Sequence, residues 1–312
     1  MLDPVVLFFV MGVIAGLAKS DLRVPESFYN VLSIYLLLAI GIKGGMELQK
    51  TGITQIALPA LTAILLGLTV TTITYLISNK IAKLDFDNAV ALSAHYGSVS
   101  AVTFAVAIST LKSKHVYYEE YMTVLLVMME IPAIIFAIGF YKFKKNTEQF
   151  NFGHIAKEIF LGKSILLLTG GLLIGMYIQN SGNNQMNIFF FDLFKGFLSI
   201  FMLEMGIVAS SRISELKTAG IKVILLGVTL PIISGTLGVL AGYTIGLSTG
   251  GCTVLGAMAA SGSYIAAPAV VRIAIPKANP SIYLTSVLGV TFPLNLLLGI
   301  SLLYKLSVWI NH

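Results

Sequence analysis

Two short stretches carry the residue types that could do chemistry. They are Ser93-Ala94-His95-Tyr96-Gly97-Ser98-Val99-Ser100-Ala101-Val102-Thr103 and Ala260-Ser261-Gly262-Ser263-Tyr264-Ile265-Ala266-Ala267-Pro268. Glycine and small hydroxyl side chains cluster in both, each time in the middle of an apolar run. A helix that breaks at such a point frees the first N–H groups of the helix that follows, and their partial positive charge suits an anion. Opposing carbonyl ends and the hydroxyls of Ser and Thr could hold a cation beside it. Pro268 cannot donate an amide proton and clashes with the turn before it, so a continuous helix through it must kink or break. The plainer reading is that Gly and Ser let membrane helices pack closely; the matched pair of stretches favours a site.

Ionisable residues inside apolar runs are the second clue, because each costs several kcal/mol at the bilayer centre unless paired or wet. Glu130, two residues before Pro132, could supply charge for a cation, shuttle a proton, or pair with a Lys or Arg. Glu204 reads as a packing or pairing residue. Lys43 and Arg272, at the ends of their runs, can reach the interface along their stems. His95 could titrate near neutral pH, although a single His on such a helix is more often a packing residue. With Ser98 three residues on, it also offers a nucleophile and a base.

The elements that must position these residues are membrane spans. Only 11% of the 312 residues are charged and 56% are hydrophobic, against about 25% charged in an average soluble domain. Apolar runs of the length that crosses a bilayer, about 20 residues, recur from end to end. Ten are expected, at roughly 4–18, 28–46, 53–78, 88–111, 119–141, 164–179, 188–210, 220–247, 251–275 and 281–310. The single cysteine, Cys252, lies inside a run and reads as a small buried residue. The first run is not a secretory signal, because Asp3 precedes it while Lys19 and Arg23 follow it. Of the 20 basic residues, 14 fall on the side of the odd-numbered connections. The positive-inside bias therefore puts both termini outside a plasma (inner) membrane. The basic stretch around 142–163 reads as a solvated loop facing lipid headgroups, and no nucleic-acid partner is expected.

That stretch also divides the chain five spans against five: 1–142, a cytoplasmic linker 143–163 with Lys144-Lys145-Asn146 and Asn151-Phe152-Gly153-His154, and 164–312. An odd number of spans per half turns the second half upside down, giving an inverted repeat. Each half begins with a short run. Each has a Gly near the end of its second span, Gly41 or Gly206, then a charged turn, Glu47-Leu48-Gln49-Lys50 or Ser214-Glu215-Leu216-Lys217. Fifty-six residues separate Gly41 from Gly97, and Gly206 from Gly262. The fold class expected is therefore an all-α membrane protein with two crossing broken helices.

At these residues the sequence resembles the sodium-dependent bicarbonate transporter family, best known from cyanobacteria. The likeness covers nearly the whole chain. It rests on Ile40-Gly41-Ile42-Lys43-Gly44-Gly45-Met46, Gly97-Ser98-Val99-Ser100, Glu130-Ile131-Pro132-Ala133, Ser211-Arg212-Ile213-Ser214-Glu215-Leu216, and Ile275-Pro276-Lys277-Ala278-Asn279-Pro280-Ser281 with Tyr283. The resemblance implies a gate part (spans 1, 2, 6 and 7), a core part that moves like an elevator, and a homotrimer. It also implies bicarbonate and Na⁺ near the crossing breaks. Carried over by position, the candidates are Gly97, Ser98, Val99, Ser100 and Thr103, with Ser261, Gly262 and Ser263. Adding the neighbouring Tyr264 and Glu130, the substrate set is Gly97, Ser98, Val99, Ser100, Gly262, Ser263 and Tyr264. The cation set is Ser100, Thr103, Glu130, Ser261 and Ser263. The pattern departs from the family where Tyr264 stands in place of an acidic residue, and where Ala101-Val102 replaces Gly-Ser. The short linker argues against docking of a PII-like regulator.

The leading expectation is thus Na⁺-coupled symport of bicarbonate or a similarly small anion, with no cofactor beyond Na⁺ as coupling ion. The alternative is a proton-coupled carrier or exchanger of a small organic carboxylate, using Glu130 or His95. An intramembrane enzyme built on Ser98 and His95 and a passive channel are the remaining classes; an inverted repeat has no use in the former, and a single-channel current would mark the latter.

Overall fold

The chain enters its first helix through Asp3, whose carboxylate accepts the Val5 amide at 2.9 Å, with Pro4 at the first helical position, where a missing N–H costs nothing. The computed structural model describes residues 3–145, 153, 157, 159–178 and 184–311. Most of the described residues are helical, with no strand among them. In chain order the helices are α1 (Pro4–Leu17), α2 (Glu26–Thr51), α3 (Ile53–Leu76, extended by a wider turn Ile77–Ile81), α4 (Phe86–Gly97), α5 (Ala101–Ser113) and α6 (Met122–Lys145). After the linker come α7 (Lys163–Ile178), α8 (Phe194–Ala219), α9 (Ile221–Thr244), α10 (Thr249–Ala259), α11 (Ala266–Ala274) and α12 (Pro280–Asn311).

Among the described residues, six segments are long and apolar enough to cross a membrane: Glu26–Thr51, Thr54–Ile81, Phe86–Ser113, Met122–Lys145, Ile221–Thr244 and Pro280–Asn311. The protein is a multi-pass membrane protein. α1, α7 and α10 are apolar but shorter. Most of the apolar runs read from the sequence fall on these helices within a few residues, but α6 runs to Lys145, three residues into the expected linker, and the run expected at 188–210 is divided between a short helical segment, Asn184–Asn187 with Ile188–Asp192, and α8, which continues to Ala219. Asn146, Asn151, Phe152 and His154 of that linker lie outside the described residues, as do the side chains of Ser214 and Lys217.

Helix ends follow local chemistry. Gly52 (φ +78°) and Gly220 (φ +85°) let α2 turn directly into α3, and α8 into α9, through a backbone region that side chains disfavour. Asp85, Ser100 and Ser248 cap α4, α5 and α10 by accepting the amides of Asn88, Thr103 and Gly251.

Two helix pairs dominate the packing on one side, α1 along α8 and α2 along α7. Both pairs approach through glycine. A Cβ on Gly12 would strike the Leu203 carbonyl and one on Gly206 the Phe9 carbonyl; Gly45 and Gly175 stand in the same relation to Leu172 and Ile42. Small residues bring helix backbones together where lipid offers no hydrophobic drive. The broken pair α4 and α5 is enclosed instead: 94% of its apolar window is buried, walled by α3, α6 and α10. Non-helical backbone at membrane depth is tolerated only in such a protein-lined place.

Candidate functional site

The first break begins where α3 presses against α4. A Cβ on Gly97 would collide with the Thr71 hydroxyl and lie 3.2 Å from the Gly67 carbonyl oxygen, so glycine lets the two backbones meet. The chain then extends through Ser98 (φ −81°, ψ −178°). Ser100 restarts the helix: its Oγ accepts the Thr103 amide at 3.1 Å and its carbonyl the Phe104 amide at 3.0 Å. The amides of Ala101 and Val102 make no hydrogen bond among the described residues. They are the unsatisfied N–H groups of a helix start.

The second break spans residues 260–265. α10 stops at Ala259, and the Asn295 side chain takes the Ala260 carbonyl at 2.7 Å. Ser263 Oγ then accepts the Ala267 amide at 3.1 Å, in the first turn of α11. This corrects the sequence reading of Pro268. The proline does not break the helix; it sits in the first turn of α11, beyond a break already made, where its lack of an N–H is harmless.

The two breaks are bonded to each other. The Ser100 amide donates to Ser261 Oγ at 2.8 Å, and the Ser263 amide donates to the His95 carbonyl at 2.8 Å. Ser261 Oγ in turn donates to the Met258 carbonyl at 2.7 Å. Three buried oxygens around this junction have no hydrogen-bond partner, Ser98 Oγ, Thr103 Oγ1 and Glu130 Oε2, and Tyr264 Oη has no partner nearer than the Ser100 side chain, with which it is poorly aligned. Unpaired buried oxygens are costly in a water-free interior. Glu130 is 2% exposed, and its other oxygen meets only Ser164 Oγ, at 3.4 Å. The structural pairing with Lys or Arg that the sequence left open is not formed among the described residues. Val99, Ser100, Glu130, Ser164, Ser263 and Tyr264 line one cavity of about 10 Å³, room for about one water-sized guest.

The structure therefore brings Val99, Ser100, Glu130, Ser263 and Tyr264 to one cavity and bonds Ser261 to its wall. Ser98 and Thr103 are buried beside it along the first break, and Gly97 and Gly262 serve close packing: a Cβ on Gly262 would lie 2.9 Å from Val287. His95 stays out. Its Nδ1 bonds the Ala91 carbonyl at 2.7 Å, its ring stacks on Tyr283 at 4.3 Å, and it makes no bond to Ser98. Sequence reasoning missed Ser164 and Asn295. Ser164 opens a short span, and Asn295 is a lone amide deep in the last one; polar residues at such places were the available signal.

A model of the Na⁺-dependent bicarbonate transporter superfamily matches residues 4–308. The chain belongs to that superfamily. No curated protein matches the sequence. Within this superfamily member, the oxygens at the breaks have a definite chemical character. Hydroxyls and one carboxylate are hard donors that suit an alkali or other hard cation. No group of three or more His, Cys, Asp or Glu is assembled among the described residues, so a polydentate transition-metal site is not on offer there. Tyr264 contributes a phenol packed edge-on to Phe292 at 5.5 Å. The carboxylate of this site comes from Glu130, on a different helix.

Proposed function

We propose that this protein is a secondary active transporter that couples Na⁺ to the uptake of bicarbonate or a similarly small anion at its two broken helices. The observation that carries the reading is the cross-bonded pair of breaks, buried in protein, with unpartnered oxygens around it. Each break opens a helix N-terminus worth about half a positive charge. In this reading the anion meets Gly97, Ser98, Val99 and Ser100 from one side and Gly262, Ser263 and Tyr264 from the other, with the Ala101 and Val102 amides supplying donors. The cation takes Glu130 and Thr103, with the remaining lone pairs of Ser100, Ser261 and Ser263, whose hydroxyls already hold the breaks in place. Opposite charges bound side by side lower each other's electrostatic cost, and by linkage each raises the other's affinity equally.

The same reading has ten spans in a five-plus-five inverted repeat, 1–142 and 164–312, with both termini outside the plasma membrane. Its support is the exchange of partners between halves: α1 packs on α8 and α2 on α7, and each second span ends on a positive-φ glycine, Gly52 or Gly220. Those four glycine-zipped helices form the gate, the rest the core that moves like an elevator, within a homotrimer. Labelled bicarbonate uptake into proteoliposomes tests the function. Uptake is expected to collapse when the Na⁺ gradient is removed at constant pH. Equal uptake without Na⁺ overturns the reading, and uptake of a labelled small carboxylate that follows the pH gradient and ignores Na⁺ installs the proton-coupled carrier in its place.

A further inference from the structure

A second cavity, of about 410 Å³, lies toward the end of the molecule that holds Asp3 and the last turn of α5. Its wall carries three lysines from three different helices: Lys43 of α2, Lys112 of α5 and Lys195 of α8. Only part of this charge is answered. Lys195 Nζ meets the buried Asp3 carboxylate at 3.3 Å, and Lys43 Nζ lies 3.9 Å from Glu120 and 3.5 Å from the Tyr118 hydroxyl. Lys112 is exposed and makes no ion pair among the described residues; it stands close enough to Lys43 for the two ammonium groups to repel, with Glu120 the carboxylate that both feel. Holding two cations together in a cavity with one shared carboxylate is unfavourable unless an anion joins them. Phenylalanines 104, 190, 191 and 194 complete the wall. Low-dielectric walls focus the field of the lysines into the cavity rather than letting water dissipate it.

The cavity leads inward. A narrow void of about 10 Å³, lined by Leu36, Leu37, Ile40, Val102, Leu198 and Phe201, shares Ile40 with the lysine cavity. It shares Ala101 and Ile265 with the cavity at the breaks. It is apolar and too small for a hydrated ion, so it separates two chambers.

We infer that the lysine cavity is a second, outer binding site for small oxyanions, which loads the anion before the apolar neck opens toward the breaks. Lys112 and Lys43 hold the oxyanion, and the Thr123 hydroxyl on the same wall offers a donor, while those of Ser109 and Ser113 are already given to the Asp3 carboxylate and the Thr110 carbonyl. The site rests on the proposed anion transport for its purpose, but not for its detection.

Acetylation of purified, detergent-solubilised protein by an amine-reactive ester, read by peptide mass spectrometry, tests it at fixed pH and ionic strength. Replacing chloride with bicarbonate is expected to slow labelling of Lys112 several-fold while Lys114, two residues on and outside the cavity, labels unchanged. Equal rates at Lys112 in both salts overturn the inference. In proteoliposomes, Lys112→Gln is expected to raise the half-saturating bicarbonate concentration about five-fold, the effect of one charge some 5 Å away at high effective dielectric, and to flatten its dependence on ionic strength. Protection of Lys112 in a protein that transports no bicarbonate would sink the proposed function and leave the outer site standing; transport without protection would do the reverse.

Discussion

With Na⁺ bound as proposed, replacing Glu130 by Gln removes the one carboxylate charge that answers the cation, at a place with no basic partner among the described residues. The carboxylate is 2% exposed, its Oε2 is unpartnered, and its only hydrogen bond is the 3.4 Å contact from Ser164 Oγ, which a Gln carbonyl could still accept. The shape of the cavity is therefore kept while its charge is lost. A Na⁺ about 4 Å from the carboxylate at an effective dielectric near 20 gains about 4 kcal/mol. The Gln carbonyl dipole and the neighbouring hydroxyls recover part of this. Taking half leaves a loss of about 2 kcal/mol, or about thirty-fold in affinity at 1.36 kcal/mol per decade. The assay is the initial rate of labelled bicarbonate uptake against Na⁺ concentration, for both proteins at one pH. Glu130→Gln is expected to move the half-saturating Na⁺ upward about thirty-fold while the protein elutes from detergent size exclusion as the wild type does. An unchanged Na⁺ dependence in a folded variant would refute the assignment of Glu130 to the cation. A variant that has lost its pH dependence and kept its Na⁺ dependence would make the carboxylate a proton carrier.

Two further outcomes follow from the breaks and the caps. Gly97→Ala is expected to destabilise the protein by about 1–3 kcal/mol through overpacking, because the new methyl meets the Thr71 side chain; adding Thr71→Ala should recover part of the lost melting temperature, and no recovery would place the strain elsewhere. Asp85 lies outside the spans: burial pushes its carboxyl up, but hydrogen bonds from the Asn88 amide (2.9 Å) and side chain outweigh that and hold it below its ordinary 3.8. A depressed carboxyl stabilises the fold above its unfolded pKa, and this is lost as pH falls through the folded one. Asp85→Asn should therefore melt lower than wild type at neutral pH, by a cap worth of order 1 kcal/mol or less, with the gap narrowing below about pH 4. A gap that stays constant down to pH 3 would show that the charge plays no part.

The sequence by itself determined the class of this molecule and the address of its breaks. Hydrocarbon thickness dictates the length of an apolar run, so the six helices long enough to cross a membrane among the described residues could be read as spans directly. Glycine and serine are common in packed membrane helices; what marked Gly97-Ser98 and Gly262-Ser263 without a structure was their matched place, 56 residues after Gly41 and Gly206. Pro268 misled because a proline looks the same in a sequence whether it breaks a helix or sits in its first turn. Only the tertiary structure decided that Ser261 would answer the Ser100 amide, 161 residues away, and that Ser164 rather than an Arg or Lys would meet Glu130. The same is true of the lysine cavity, whose charges come from α2, α5 and α8. Local propensity and hydropathy act over a few turns of helix. Which buried oxygen finds a partner, and which is left for an ion, depends on chain segments that only the packed bundle brings together.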